Sequence, residues 1–246
     1  MCGRFTQQRD PAEIAQAFDA ELDAEAEVLG AGRYNVAPTD PVVAVVAHEG
    51  RRRLTAFRWG LVPPWAADTR GAARLINARA ETVTSTPAFR VALRRRRCLI
   101  PADGFYEWRR EGTRRLPYLL RARDGRPLAF AGLWSLWREP DGDDWLRTCS
   151  IVTSAANRFI APLHHRMPVS LPKEAWSHWL DPTLTDAGAL RALLEPSPED
   201  LLEAVPLAPL VNDVRRQGPE LVEPIGPRLH SLDSLHGPTD DRLPLA

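Results

Sequence analysis

Two nucleophiles are available at the start of this 246-residue chain, because Cys2 directly follows Met1. The small side chain at position 2 permits removal of Met1, and removal leaves an α-amine and a thiol on one short carbon framework. Reference pKa values of about 7.7–8.0 for the amine and about 8.5 for the thiol give each a reactive fraction near neutral pH. Such an amine attacks an aldehyde to form a Schiff base, and the thiol then closes onto the imine carbon to give a thiazolidine. An internal cysteine lacks the amine and cannot do this. The alternative is a chance cysteine in a loose terminus.

A carboxyl group, an imidazole and an amide would complete a site of this kind. Glu107 sits in Phe105-Tyr106-Glu107-Trp108, where burial among rings raises a carboxyl pKa and makes the group a proton donor and acceptor near neutrality. Position alone favours the opposite orientation, an outward strand carboxylate with Trp108 in the core. His164 and His165 are adjacent, so in an extended segment they point opposite ways and at most one faces a given site. The pair suits a metal poorly, since neighbours on one chain cannot comfortably reach one ion. A core or solvent-facing histidine is the alternative. Asn77 and Arg79 share a face if their stretch is extended; the amide can orient a hydroxyl or aldehyde and the guanidinium can clamp a phosphate. Otherwise the two cap the turn at Glu81-Thr82. Trp59, Trp65 and Trp108 are candidate platforms for unpaired bases or, equally, core residues, and Trp134 and Trp137 read as core.

The elements that must position these residues alternate with period two. Residues 42–47 and 53–59 form an expected hairpin, and 98–101, 105–109, 118–123, 128–137 and 146–153 are further strands, separated by Gly- and Asp-bearing turns. Helices are expected at 11–18, 87–96, 173–180 and 186–194, with one or two helical turns at 155–163. The arginine run 94–97 reads as a solvated helix face. Short successive strands of this kind indicate an antiparallel sheet or barrel rather than a doubly wound parallel sheet. From Arg215 onward the chain is rich in Pro, Gly and charge, and its last twenty or so residues are expected to be disordered.

Composition narrows the class further. The hydrophobic share of 44% and charged share of 26% are those of an ordinary soluble domain. No apolar run reaches membrane-spanning length and no basic-then-apolar leader is present, so a cytoplasmic protein sharing its compartment with nucleic acid is expected. Cys2, Cys98 and Cys149 form no CxxC pair, which argues against a disulfide framework and a structural zinc. A formal net charge of +0 provides no global attraction to nucleic acid, so any basic site is local.

The order of several blocks carries more than any one of them. Met1-Cys2-Gly3-Arg4-Phe5, Tyr34-Asn35-Val36-Ala37-Pro38-Thr39, Arg58-Trp59-Gly60-Leu61-Val62-Pro63, Asn77-Ala78-Arg79-Ala80-Glu81-Thr82, the run from Arg97 to Trp108, Ala131-Gly132-Leu133-Trp134 and His164-His165-Arg166-Met167-Pro168 together resemble the SRAP (SOS response-associated peptidase) family over residues 2–212. The resemblance implies a single α+β domain with a barrel-like antiparallel sheet flanked by helices, followed by an extension over 213–246. It also implies a sensor of abasic sites in single-stranded DNA that crosslinks itself to the ring-opened sugar as a thiazolidine. Cys2 matches the crosslinking residue, Asn77 the amide that orients the open sugar, Glu107 the acid and base, and His164 the histidine assisting proton transfer. Arg4 and Arg79 match phosphate contacts, and Trp65 and Trp108 match aromatic positions lining the DNA channel. His165 receives no role. The resemblance further implies autoproteolytic removal of Met1, possible reversal of the crosslink and association with the nucleoid on damaged DNA. A monomer needing no metal or cofactor is expected.

Two rivals come from other classes. Met-Cys-Gly also opens the glutamine-hydrolysing domain of class II amidotransferases, in which the free amine is the base and the thiol attacks an amide. A non-catalytic single-strand DNA binder would leave Cys2 incidental.

Overall fold

A computed structural model describes residues 2–139 and 143–232. The chain runs through β1 (Phe5–Gln7), α1 (Pro11–Ala17), β2 (Glu21–Leu22), α2 (Ala24–Glu27), β3 (Arg33–Val36) and the hairpin of β4 (Pro41–His48) with β5 (Arg51–Trp59). A long loop leads to β6 (Asn77–Arg79), α3 (Pro87–Arg95) and four strands in succession: β7 (Arg97–Ala102), β8 (Gly104–Glu111), β9 (Arg114–Ala122) and β10 (Leu128–Arg138). β11 (Trp145–Ala155), β12 (Arg166–Pro168), α4 (Lys173–Leu180), α5 (Ala187–Ala192) and β13 (Leu202–Pro206) follow.

Strands β11, β10, β7, β4 and β5 are hydrogen-bonded in that order. β11 then returns to β5 by a parallel pairing of Thr148 with Arg58 and Cys149 with Trp59, which closes a five-stranded barrel. A second sheet has the order β13-β9-β8-β1-β3. The result is the expected α+β domain with a barrel-like sheet flanked by helices. Most neighbours are antiparallel, as expected, but β2 with β5 and β6 with β11 add two further parallel contacts.

Period-two alternation sorts the side chains into layers. From β4, Val42, Ala44 and Val46 enter one core with Phe57, Ile100 and Ile151, and this core also receives Phe5, Phe105 and Leu120 from the second sheet. Val43 and Val45 enter the other core, which α1, α3 and α4 cover with Ile14, Phe89, Leu93 and Trp179. Helix α3 follows the same logic at its own period: Phe89, Ala92 and Leu93 are buried, while Arg90, Arg94 and Arg95 face solvent. Arg97 departs from the expected solvated run, being buried at the start of β7 with Nη1 donating to the Leu93 carbonyl at 2.7 Å. Among the described residues, no helix is long and apolar enough to cross a membrane.

β1 is short, and one side chain anchors it to the barrel. Gln7 is buried, donates from Nε2 to the carbonyls of Val43 at 2.9 Å and Pro101 at 2.7 Å, and accepts from the Val43 amide at 3.1 Å. This satisfies barrel backbone groups and fixes β1 across them.

Gly60 ends β5 as expected from the sequence, and its backbone explains why no other residue fits. Its φ is +125°, its amide donates to the Cys149 carbonyl at 2.8 Å, and an added Cβ would lie 2.8 Å from the Ala72 carbonyl oxygen. Gly60→Ala is therefore expected to cost about 3 kcal/mol through backbone strain and displacement at the barrel seam, read as a lower urea midpoint.

The C-terminal region adds a packed layer before the described residues end. Leu207 bridges Pro224 and Ala204 bridges Leu229, and Leu221 and Leu232 are buried. Most of the stretch expected to be disordered, residues 233–246, lies outside the described residues.

Candidate active site around Cys2

Cys2 is separated by Gly3 and Arg4 from β1, which lies between β3 and β8 inside the second sheet. The residue is fully excluded from solvent, with a relative exposure of 0%. β8 supplies the carboxyl group. Phe105 enters the shared core, whereas Tyr106 belongs to a separate outer cluster that Trp108 packs against. Glu107 has the parity of Phe105 and is 4% exposed. The orientation favoured by position alone is thus reversed: the carboxyl group is the buried partner and Trp108 is half-buried on the opposite face. The polar tips account for this, since Tyr106 Oη donates to the Tyr34 carbonyl and Trp108 Nε1 to Asn212 Oδ1, each at 2.6 Å.

Asn77 reaches Cys2 from β6, where it pairs with Ile151 of β11. Its Nδ2 donates to the Cys2 carbonyl at 2.9 Å. Its Oδ1 is buried and, among the described residues, has no hydrogen-bond partner. A buried amide oxygen left open in this way is an acceptor waiting for a donor. Arg79, two residues on, lies on the same side of β6 and is exposed, so the pair is extended as the spacing predicts.

His164 follows a coiled segment in which Ala161 bonds back to Asn157 and His164 to Ile160. The two histidines do not diverge as an extended chain would require. Their rings stack with centroids 4.3 Å apart at 26°. His164 Nδ1 accepts from the Arg166 amide at 2.9 Å and lies 3.2 Å from the Arg166 carbonyl. The shorter contact has a fixed donor, so Nδ1 is the unprotonated nitrogen and the ring proton resides on Nε2. Arg166 is itself buried, paired with Glu81 at 2.6 and 3.0 Å and bonded to Thr153. From its place beside the histidines Arg166 reads as ordering a loop or meeting a phosphate, and nothing in the sequence marks Glu81, far away in the chain, as its partner.

Burial sets the charge states. It pushes the Cys2 thiol well up, and the negative charge of Glu107 adds to that. Burial also pushes Glu107 up to about 7, opposed by the positive charge at the start of the chain. His164 is brought down to about 4, first by burial and then by that same positive charge. Cys2, Glu107 and His164 therefore sense one another or the chain's start electrostatically, and the histidine is neutral where the carboxyl group is half-protonated.

The remaining candidates separate into two groups. Arg4 is half-buried, with its guanidinium 5.7 Å from the Trp108 ring centroid. Trp65 stands apart, 62% exposed on the loop after β5, which Trp137 Nε1 ties down through the Ala66 carbonyl at 2.7 Å. Trp59 is no platform: it is fully buried, with Nε1 donating to the Ile76 carbonyl at 2.9 Å. Among the described residues, no group of three or more His, Cys, Asp or Glu side chains is placed to hold a metal ion.

A barrel with a second sheet that buries a near-terminal cysteine held by Asn77 and sensing Glu107 can be set beside known proteins. The profile of the family described as SOS response associated peptidase (SRAP) matches residues 1–214. Abasic site processing protein YoqW of Bacillus subtilis is 39% identical over 228 residues, covering 91% of this chain and 99% of that protein. Abasic site processing protein YedK of Escherichia coli is 30% identical, covering 92% and 100%. A crystal structure of a Bacteroides thetaiotaomicron protein superposes with a TM-score of 0.83 at 24% identity over 91% of this chain and 99% of that one. The chain belongs to the SRAP family.

Proposed function

We propose that this protein processes abasic sites in single-stranded DNA by joining Cys2, freed by autoproteolytic loss of Met1, to the lesion's aldehyde as a thiazolidine. The observation that carries this reading is the fully buried Cys2 held at its carbonyl by Asn77 and flanked by a carboxyl group brought to about 7. Relatives named as abasic site processing proteins support it.

The abasic sugar is mostly a closed hemiacetal, so ring opening needs a proton delivered to the ring oxygen and one removed from the anomeric hydroxyl. Glu107 suits both transfers, because burial raises its carboxyl group to about 7, where it can both give and take a proton near neutrality. Neutral His164 offers its Nε2–H to a sugar oxygen, and the open Oδ1 of Asn77 accepts from a sugar hydroxyl. The terminal amine then adds to the aldehyde carbon, and the resulting hydroxyl leaves as water with a proton from Glu107. Finally the thiol sulfur attacks the imine carbon, and its proton passes through the Glu107 carboxylate to the nitrogen. One water is lost overall. By microscopic reversibility the same carboxyl group can protonate the thiazolidine and undo the link. Arg4 and Arg79 would hold phosphates, and Trp65 and Trp108 would pack against bases. The scheme invokes no metal, cofactor or second copy of the chain.

Intact-protein mass spectrometry tests the reading. The expected spectrum shows loss of Met1, then a gain equal to an abasic single-stranded oligonucleotide minus one water, and no gain with undamaged DNA. Loss of Met1 without an adduct would sink the crosslinking reading and turn attention to amide hydrolysis.

A further inference from the structure

Arg4 and Trp108 share a surface, yet the groups that orient them come from neither of their own strands. Arg4 Nη1 donates to Asn35 Oδ1 at 2.6 Å and to the Val211 carbonyl at 3.1 Å. Trp108 Nε1 donates to Asn212 Oδ1 at 2.6 Å. Both contacts lead to the same short segment after β13. We propose that residues 211–217 act as a positioning strap, holding Arg4 for a DNA phosphate and Trp108 for the neighbouring base through Gln217 and Asn212. The inference rests on the DNA-binding roles proposed above for Arg4 and Trp108.

The strap is fastened at Asn35, which is fully buried. Gln217 closes a two-bond clamp on the Asn35 backbone: its Oε1 accepts from the amide at 3.0 Å and its Nε2 donates to the carbonyl at 3.1 Å. Asn35 Nδ2 in turn donates to the carbonyls of Asp213 at 3.0 Å and Arg216 at 3.1 Å. With its amide hydrogens spent on the strap, Asn35 presents Oδ1 to Arg4 alone. One guanidinium nitrogen of Arg4 is thereby fixed, while Nε and Nη2 have no partner among the described residues. A guanidinium anchored at one corner and open at the others loses less freedom when it grips a phosphate than one that is free. Trp108 is held by its ring nitrogen and leaves its ring beneath Arg4. The geometry is that of a preformed phosphate and base platform whose fixing points lie 104 residues away in sequence for Trp108 and, for Arg4, 31 residues away at Asn35 and 207 at Val211.

The test compares wild type with Gln217→Ala, Asn212→Ala and Arg4→Ala, each checked for folding by thermal melting followed by circular dichroism. Binding of an undamaged single-stranded oligonucleotide is measured by fluorescence anisotropy over a range of salt, and crosslinking to an abasic one is followed on denaturing gels. Gln217→Ala is expected to weaken binding about three- to tenfold and to lower the slope of log K against log salt by about 0.7, the loss of one phosphate contact. Adding it to Arg4→Ala is expected to cause no further loss, since both act through one guanidinium. In crosslinking, the DNA concentration giving half-maximal rate should rise more than the rate at saturation falls. Asn212→Ala is expected to weaken binding with the salt slope retained, because stacking carries no charge. Folded Gln217→Ala and Asn212→Ala with wild-type affinity and slope would overturn the strap. Should Gln217→Ala not fold, surface-lying Asn212→Ala decides alone. Wild-type binding by Arg4→Ala would instead remove the reading of Arg4 on which the strap depends.

Discussion

Replacing Cys2 by Ala is expected to abolish DNA retention after denaturation while leaving association under native conditions close to wild type. The substitution removes the sulfur and keeps the terminal amine, so the chemistry should stop at the Schiff base. An imine hydrolyses when the protein unfolds, whereas a thiazolidine survives. Reduction with borohydride during the reaction should therefore restore retention in Cys2→Ala, and omitting the reductant should remove it. This pattern separates covalent capture from simple binding: a non-catalytic binder would show no denaturation-resistant retention in either protein, with or without the lesion. Stability should change little, because the buried side chain lost is a single sulfur.

Glu107→Gln is expected to slow crosslink formation by about 10²- to 10⁴-fold, the usual contribution of a positioned acid and base. Two pH effects accompany it. The wild-type rate should change through an inflection near the carboxyl value of about 7, and the variant should lose that inflection. Stability should move the other way. A carboxyl group whose folded pKa is raised keeps its proton in the folded protein after the unfolded chain has lost its own. Folding therefore weakens as pH rises from the ordinary Glu value through about 7. Glutamine cannot ionise, so the variant should escape that decline and melt higher than wild type above pH 7, by an amount of order 1–3 kcal/mol. Slower chemistry in a more stable protein would identify Glu107 as a group kept at a cost to the fold. A variant that is fast and also unaltered in pH response would remove it from the mechanism.

Much of this architecture is legible in the sequence because burial imposes a period. Strands such as β4 and β10 and the helix α4 fall close to the apolar patterns that predict them. Parity in β8 is different. Aromatic residues occupy both faces around Glu107, so alternation alone cannot say which side is dry; only the hydrogen-bond partners of Tyr106 and Trp108 settle it. Stacking of His164 on His165 was hidden for a similar reason, since an adjacent pair diverges in a strand but not in a coiled turn. Trp59 misled because a tryptophan beside a Gly and two prolines resembles a surface platform, whereas its ring fills the core at the barrel seam. The segment 211–217 offered no signal at all. It docks through one buried apolar side chain, Val211, together with backbone carbonyls and two amide side chains, and these form no period to detect.

The anchoring of β1 bears on how a joined DNA strand would transmit force. Tension on the DNA would enter the protein at Cys2 and act along β1, which is hydrogen-bonded to β3 on one side and β8 on the other. The Gln7 amide carries part of that load into β4 and β7 of the barrel. A load along β1 would thus be shared among several bonds in the second sheet and, through one side chain, with the barrel, and would not fall on a single contact.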